Sequence, residues 1–512
     1  MEVSNPGLLI AIPLIALAYV TLNRWNRSPG PLPPIPAGKL PILGHLLQMP
    51  QSHEWLKYLE WSDQTGSDIL CYQVLNSHVI VLNSFKAVSE LFEGRTSIYS
   101  NRPTLLALRH ILGFHWVLGL MPYGKQFLEV RKASNHYLHN ASIKKYRPIQ
   151  TVAIHSMLRG LHREPEKFVE HARHMAGRII LNVTYGIEPN PTYIRTVYHS
   201  VLGLGLGLSP RALLHDMFPF LLKLPEWFPL FRFKADAKKF SPYVAALPDL
   251  PLDETRKAMA EGTARPSMAA SMLADGGLPD SIIRSVTGSL YLAGTETTVA
   301  TITNFFLAML KYPDVQHKAR SEIDSVVGPN RLPDFRDEPN LPYLSALIKE
   351  LYRWRVVTPL GTPHSLIVDD VYRGYHFPKD SIVISNLHAI MHDPVAFPEP
   401  NVFRPERYLE DAGKPTSTRS SDGVFGYGGR VCPGRYLTKS NTWLAVASIL
   451  ATFDIEKATD EDGCVIEPDD VGATSGVVSF PLPFKCKITP RSEAAAALIA
   501  GTADEEVVIP LP

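Results

Sequence analysis

Phe425-Gly-Tyr-Gly-Gly-Arg-Val-Cys-Pro-Gly434 sets one cysteine in a glycine-rich loop, and an apolar helical pattern from Tyr436 to Leu450 follows it. A thiolate near a helix N-terminus is favoured by the backbone amides and the helix dipole, which lower its pKa. Gly428, Gly429 and Gly434 allow tight turns and let the backbone approach a flat ligand closely. Arg430, two residues before the cysteine, can pair with an anion on that ligand. Cys71, Cys464 and Cys486 lack such surroundings and read as small hydrophobes. With no paired spacing such as CxxC, four cysteines in 512 residues point to a reducing compartment and exclude a disulfide scaffold.

Around this loop the chain is ordinary in composition. It carries 51 Lys+Arg against 50 Asp+Glu, a net charge of +1, so no basic field invites a nucleic acid. At 45% hydrophobic and 20% charged it is globular. Its 44 prolines, above the usual ~5%, read as punctuated loops. Upstream of the loop, residues 357–405 are rich in strand formers and proline, and VYRGYHFPKDSIVISN (Val371–Asn386) reads as a hairpin. Asp68–Val74 and His78–Leu82 read as another. Ser84 then caps a helix from Phe85 to Glu93, which Gly94 stops. From about 103 to 360 the period is helical. No linker interrupts this stretch, and a large buried cofactor would help explain so big a single body.

Two further segments stand out. Val286–Leu310 is 25 residues long, about 37 Å as a helix. Glu296 near its centre would cost ~2.5–3.5 kcal/mol in a bilayer, so a helix buried through the middle of the body is expected. Met217–Phe233, with its aromatic residues and prolines, reads either as a broken core helix or as an apolar flap at a membrane or substrate entrance.

The N-terminus opens with an uncharged run from Pro6 to Leu22. At ~1.5 Å per residue it approaches the ~30 Å of a hydrocarbon core. Arg24 and Arg27 follow it, leaving the rest of the chain on the cytosolic side. A cleaved signal peptide is the alternative, but the basic segment it needs ahead of the apolar run is missing. The expected organisation is a membrane anchor over 1–27, a proline-rich hinge over 28–44 that holds the body off the membrane, a mainly α body with small β-sheets over 45–490, and a flexible tail over 491–512.

Phe425, Gly428, Arg430, Cys432 and Gly434 match every position of FxxGxRxCxG, and in this the sequence resembles the cytochromes P450. Ala293-Gly-Thr-Glu-Thr-Thr298 fits that family's [AG]GxxT motif, Glu350-Leu-Tyr-Arg353 its ExxR, and Phe403-Arg-Pro-Glu-Arg-Tyr408 its FxPERF, all in the family's order. The resemblance covers residues ~30 to 490 and implies the cytochrome P450 fold. It implies haem b with Cys432 as the thiolate ligand of iron, which favours O–O cleavage. Gly294 would leave room for dioxygen, Thr297 would hydrogen-bond it, and Glu296 would relay protons. Glu350, Arg353 and Arg407 would form a buried structural triad. The haem propionates would meet Arg430, Arg131, Arg102 and His364. One departure is Phe127, where the family usually has Trp; it cannot donate an indole N–H.

On the same grounds the chain would be a monooxygenase that inserts one atom of O2 into an apolar small molecule by hydroxylation or epoxidation. NADPH electrons would arrive through a separate NADPH–cytochrome P450 reductase, with cytochrome b5 as a second donor. A basic rim of Arg131, Lys132, Arg435 and Lys439 would dock the reductase. The setting would be the endoplasmic reticulum membrane, single-pass, with the catalytic body cytosolic. The style of Lys311-Tyr-Pro-Asp-Val-Gln316 and Tyr372-Arg-Gly-Tyr375 resembles fungal enzymes of secondary metabolism, which implies a terpenoid, polyketide or indole substrate. The alternatives are an isomerase, dehydratase or peroxygenase on the same fold, or a haem-based sensor or ligand carrier.

Overall fold

The computed structural model describes residues 30–209, 212, 216, 232–410, 421–468 and 471–502. Its longer helices are α1 (Glu54–Thr65), α2 (Lys125–Leu138), α3 (Arg147–Arg163), α4 (Phe168–Tyr185), α5 (Pro191–Gly207), α6 (Arg232–Ala260), α7 (Asp280–Gly294), α8 (Glu296–Lys311), α9 (Pro313–Val326), α10 (Pro342–Trp354) and α11 (Arg435–Thr452). The strands are β1 (Ile69–Val74), β2 (Ser77–Leu82), β3 (His364–Ser365), β4 (Asp370–Tyr372), β5 (Tyr375–Phe377), β6 (Ile382–Ser385), β7 (Phe453–Lys457) and β8 (Cys486–Pro490).

β1 and β2 pair antiparallel from Ile69–Leu82 to Val74–Ser77, the hairpin that the β-branched runs predict. Ser84 caps the following helix by accepting from the Ala87 amide, and the run to Glu93 widens into a π-turn. β6 lies parallel to β2, and β3 antiparallel to β6, giving the order β1-β2-β6-β3. Only the first half of the expected Val371–Asn386 hairpin therefore forms, as β4 against β5. β6 leaves it for the larger sheet because Val383, Ile384 and Ser385 are all buried, and a run apolar on both faces needs cover on both. A bridge from Asn101 to Ser365 then ties β3 to the segment carrying Arg102.

The helical core gathers around α7 and α8, which are buried along almost their whole length. The expected single helix over Val286–Leu310 is divided. Thr295, at φ −84° and ψ −73°, ends α7 and starts α8. Threonine hydroxyls explain the break: Thr295, Thr297 and Thr298 donate back to the carbonyls of Tyr291, Ala293 and Gly294, and such back-bonding bends helices.

The two ends differ from expectation. The described part of the hinge is a strap laid on the body: the Pro31 carbonyl accepts from the His376 amide at 2.7 Å, and that of Pro34 from the Cys71 amide at 2.9 Å. His45 Nε2 lies 3.0 Å from the Pro36 carbonyl. Extended prolines leave every carbonyl unpaired and able to accept from a sheet. The flexible tail is corrected over its described residues. Glu493–Ala500 is helical, Ser492 caps it at the Ala495 amide, and Ile499 is fully buried. Among the described residues no helix is long and apolar enough to cross a membrane. The Pro6–Leu22 run of the expected anchor and most of Met217–Phe233 lie outside them.

Candidate active site around Cys432

The cysteine loop is pinned at its neck, where the Cys432 amide donates to the Phe425 carbonyl at 2.7 Å. Gly428 needs to be glycine: its φ is +57°, and a Cβ there would sit 2.1 Å from the Phe92 carbonyl oxygen. Gly434 does not: its φ is −80°, and a Cβ would rest 3.9 Å from Cys432 Sγ in ordinary contact. The Phe425 ring meets Tyr352 of α10 edge-on at 5.3 Å, so it braces the loop against the core. Burial pushes the Cys432 thiol up, against the expected lowering. The Gly434 and Arg435 amides and the Arg131 and Arg435 charges do pull the other way, but burial outweighs them. A metal at the sulfur would deprotonate it outright.

Three of the four groups expected to meet propionates bond to backbone carbonyls around this loop. Arg430 donates from Nε to the Ser100 carbonyl at 2.7 Å and from Nη2 to that of Met121 at 2.8 Å. Its guanidinium carbon lies 3.6 Å from the centre of the Phe127 ring. Arg102 donates to Gly119, Thr362 and Pro363 carbonyls at 2.8, 2.8 and 2.9 Å. His364, on β3, donates from Nδ1 to the Tyr99 carbonyl at 2.7 Å and stacks on Phe92 at 4.0 Å.

Burial and like charge push these groups toward neutrality. Arg430 falls to about 9 through burial and then Arg131, while Arg102 falls well below its ordinary value through burial and then Arg430. His364 is lowered by burial and by both arginines, so it joins as a charged donor only when an anion offsets them. Arg131 on α2 is lowered by burial and raised by Cys432. Among the described residues no carboxylate pairs with Arg102, Arg131 or Arg430. Buried guanidiniums of one sign are costly without a counter-charge. The arrangement fits a ligand that brings two negative charges of its own.

Along α7 and α8, Ala293 is exposed and Thr297 half-exposed although their neighbours are buried. Thr297 donates to the Ala293 carbonyl at 2.7 Å. At Gly294 a Cβ would sit 2.7 Å from Ile180 Cδ1 of α4, so the glycine lets two helices approach. Glu296 is 2% exposed and ion-paired to Arg173 of α4, with Oε1 3.0 Å from Nε and Oε2 3.4 Å from Nη2. Arg173 was not legible in sequence, because only the packing of α4 on α8 brings it near.

Behind the loop Glu350, Arg353 and Arg407 come together. Both Glu350 oxygens receive Arg353, at 2.7 and 2.8 Å, and Arg407 reaches Oε1 at 3.1 Å. All three are buried. Arg353 and Arg407 also donate to the carbonyls of Met391 and Pro398, fixing the segment before the loop. The expected basic rim is thinner than four residues. Lys439 is paired with Asp422 at 2.6 Å, and Arg435 donates to the Cys432 carbonyl at 3.2 Å.

A dianionic, metal-bearing ligand suits this thiol and its guanidiniums, and haem has both of those properties. The family model for cytochrome P450 matches residues 33–488. A cytochrome P450 monooxygenase of Armillaria gallica is 39% identical over 93% of this chain and 94% of its own. The monooxygenase ple1 of Rhodocybe pseudopiperita is 36% identical over 96% of each chain. Tryptamine 4-monooxygenase of Psilocybe cyanescens is 35% identical over 96% of this chain and 99% of its own. The chain belongs to the cytochrome P450 family. It is a monooxygenase that carries haem-thiolate iron and uses O2, with NADPH electrons delivered through a reductase.

Proposed function

We propose that this chain is a membrane-anchored monooxygenase of fungal secondary metabolism that hydroxylates or epoxidises an apolar small molecule. The reading is carried by one observation: Cys432 lies beside guanidiniums that have no carboxylate partner among the described residues. Cys432 would hold the haem iron, and Arg131, Arg430, Arg102 and His364 its propionates. The haem, once held, supplies the activation of dioxygen. Thr297 donates to the carbonyl of the exposed Ala293, and rotating its hydroxyl away would free it to donate to dioxygen once haem is held. Glu296 holds or passes a proton, and Arg173, itself half-buried, links that carboxylate toward solvent. Relatives named as monooxygenases of fungi support the reaction class, and the apolar Leu202–Leu208 stretch supports an apolar substrate. The uncharged Pro6–Leu22 run supports the anchor in the endoplasmic reticulum.

The test is the dithionite-reduced spectrum with and without carbon monoxide, on wild type and Cys432→Ala. A strongly red-shifted Soret band in wild type alone is expected. A bound haem with an unshifted band in wild type would refute Cys432 as a thiolate ligand. NADPH consumption and product formation with reductase then separate a monooxygenase from a haem-based sensor.

A further inference from the structure

Phe127 occupies the position where the family's Trp would offer an N–H, and it is 2% exposed. Its ring centre lies 3.6 Å from the Arg430 guanidinium carbon, with the ring of Tyr123, just ahead of α2, 5.6 Å away. The carbonyls of Ser100 and Met121 hold the guanidinium by its edges. Carbonyl bonds at the edges and an aromatic face beneath fix such a group in position as well as direction.

We infer that Phe127 is a positioning residue for haem: its ring holds the Arg430 guanidinium in place and stabilises its charge opposite a propionate, replacing a hydrogen bond by stacking. This rests on the assignment of Arg430 to a propionate. Because the ring acts through Arg430, it governs how long haem is retained and how much propionate charge is neutralised. The ferric–ferrous potential follows the same charge, since less neutralised propionate disfavours adding an electron.

The experiment uses haem-loaded protein and measures two quantities besides turnover: the rate of haem transfer to excess apomyoglobin and the reduction potential. Phe127→Leu keeps apolar bulk but removes the π-face. Haem loss about tenfold faster is expected, with a more negative potential. Phe127→Trp and Phe127→Tyr keep a face and are expected to lose haem no faster than wild type. In Arg430→Gln, adding Phe127→Leu is expected to cause little further loss. Phe127→Leu matching wild type in both quantities would overturn the inference, as would additive losses in the double variant. Should Phe127→Leu fail to fold, faster haem loss in Trp and Tyr would overturn it. A wild type without bound haem would instead defeat the haem-site assignment itself.

Discussion

Gly294 shows how a motif residue can be found in sequence while its physical role stays hidden. Its place in Ala293-Gly-Thr-Glu-Thr-Thr298 was legible, but Ile180, on another helix, was not. Gly294→Ala should therefore cost about 1–3 kcal/mol of stability through overpacking. A second change, Ile180→Val, should recover part of it by removing the Cδ1 that the new methyl meets. Thermal melts of the two single variants and the double variant check this. An unchanged melting temperature in Gly294→Ala would leave oxygen access as the glycine's role. Cys432 and Arg430 were legible because their chemistry is written in one contiguous loop, whereas Arg173 and the face of Phe127 depend on helices meeting across space.

At the scale of elements, α10 is tied to the segment before the cysteine loop by Glu350, Arg353 and Arg407. Glu350→Gln leaves two buried guanidiniums with a neutral partner. It should destabilise the fold by about 3–5 kcal/mol, read as a lower denaturant midpoint in haem-loaded protein. A loss below 1 kcal/mol would mean that the arginines are held by their carbonyl partners alone. The lengths and burial of α7 and α8 were legible from an uninterrupted apolar run. Their division was not, because it comes from hydroxyls turning back on carbonyls at Thr295, a choice that composition does not encode. Likewise β6 reads locally as half of a hairpin, and only the availability of β2 as a buried neighbour decides otherwise.

For the whole molecule, the outcome turns on the strap. A chain starting at residue 30 keeps the carbonyls of Pro31, Pro34 and Pro36 on the body, whereas one starting at residue 37 loses all three bonds. The shorter protein should be less stable by about 3 kcal/mol, at ~1 kcal/mol per bond. Equal stability of the two would make the strap incidental. The helical body, its small sheets and the single-domain extent were legible from periodicity and the absence of linkers. The packing of residues 31–36 and 492–500 was not legible, because proline content reports stiffness and alanine content reports propensity, and neither says what a segment packs against. The strap also sets a leash. Nine residues lead from Leu22, the end of the apolar run, to Pro31, whose carbonyl is fastened to His376 beside β4. Even fully stretched at ~3.3–3.6 Å per residue they reach about 30 Å. In the anchored protein we propose, the β4–β5 edge therefore stays within one bilayer thickness of the membrane surface, and the body rolls over the lipid without drifting away from it.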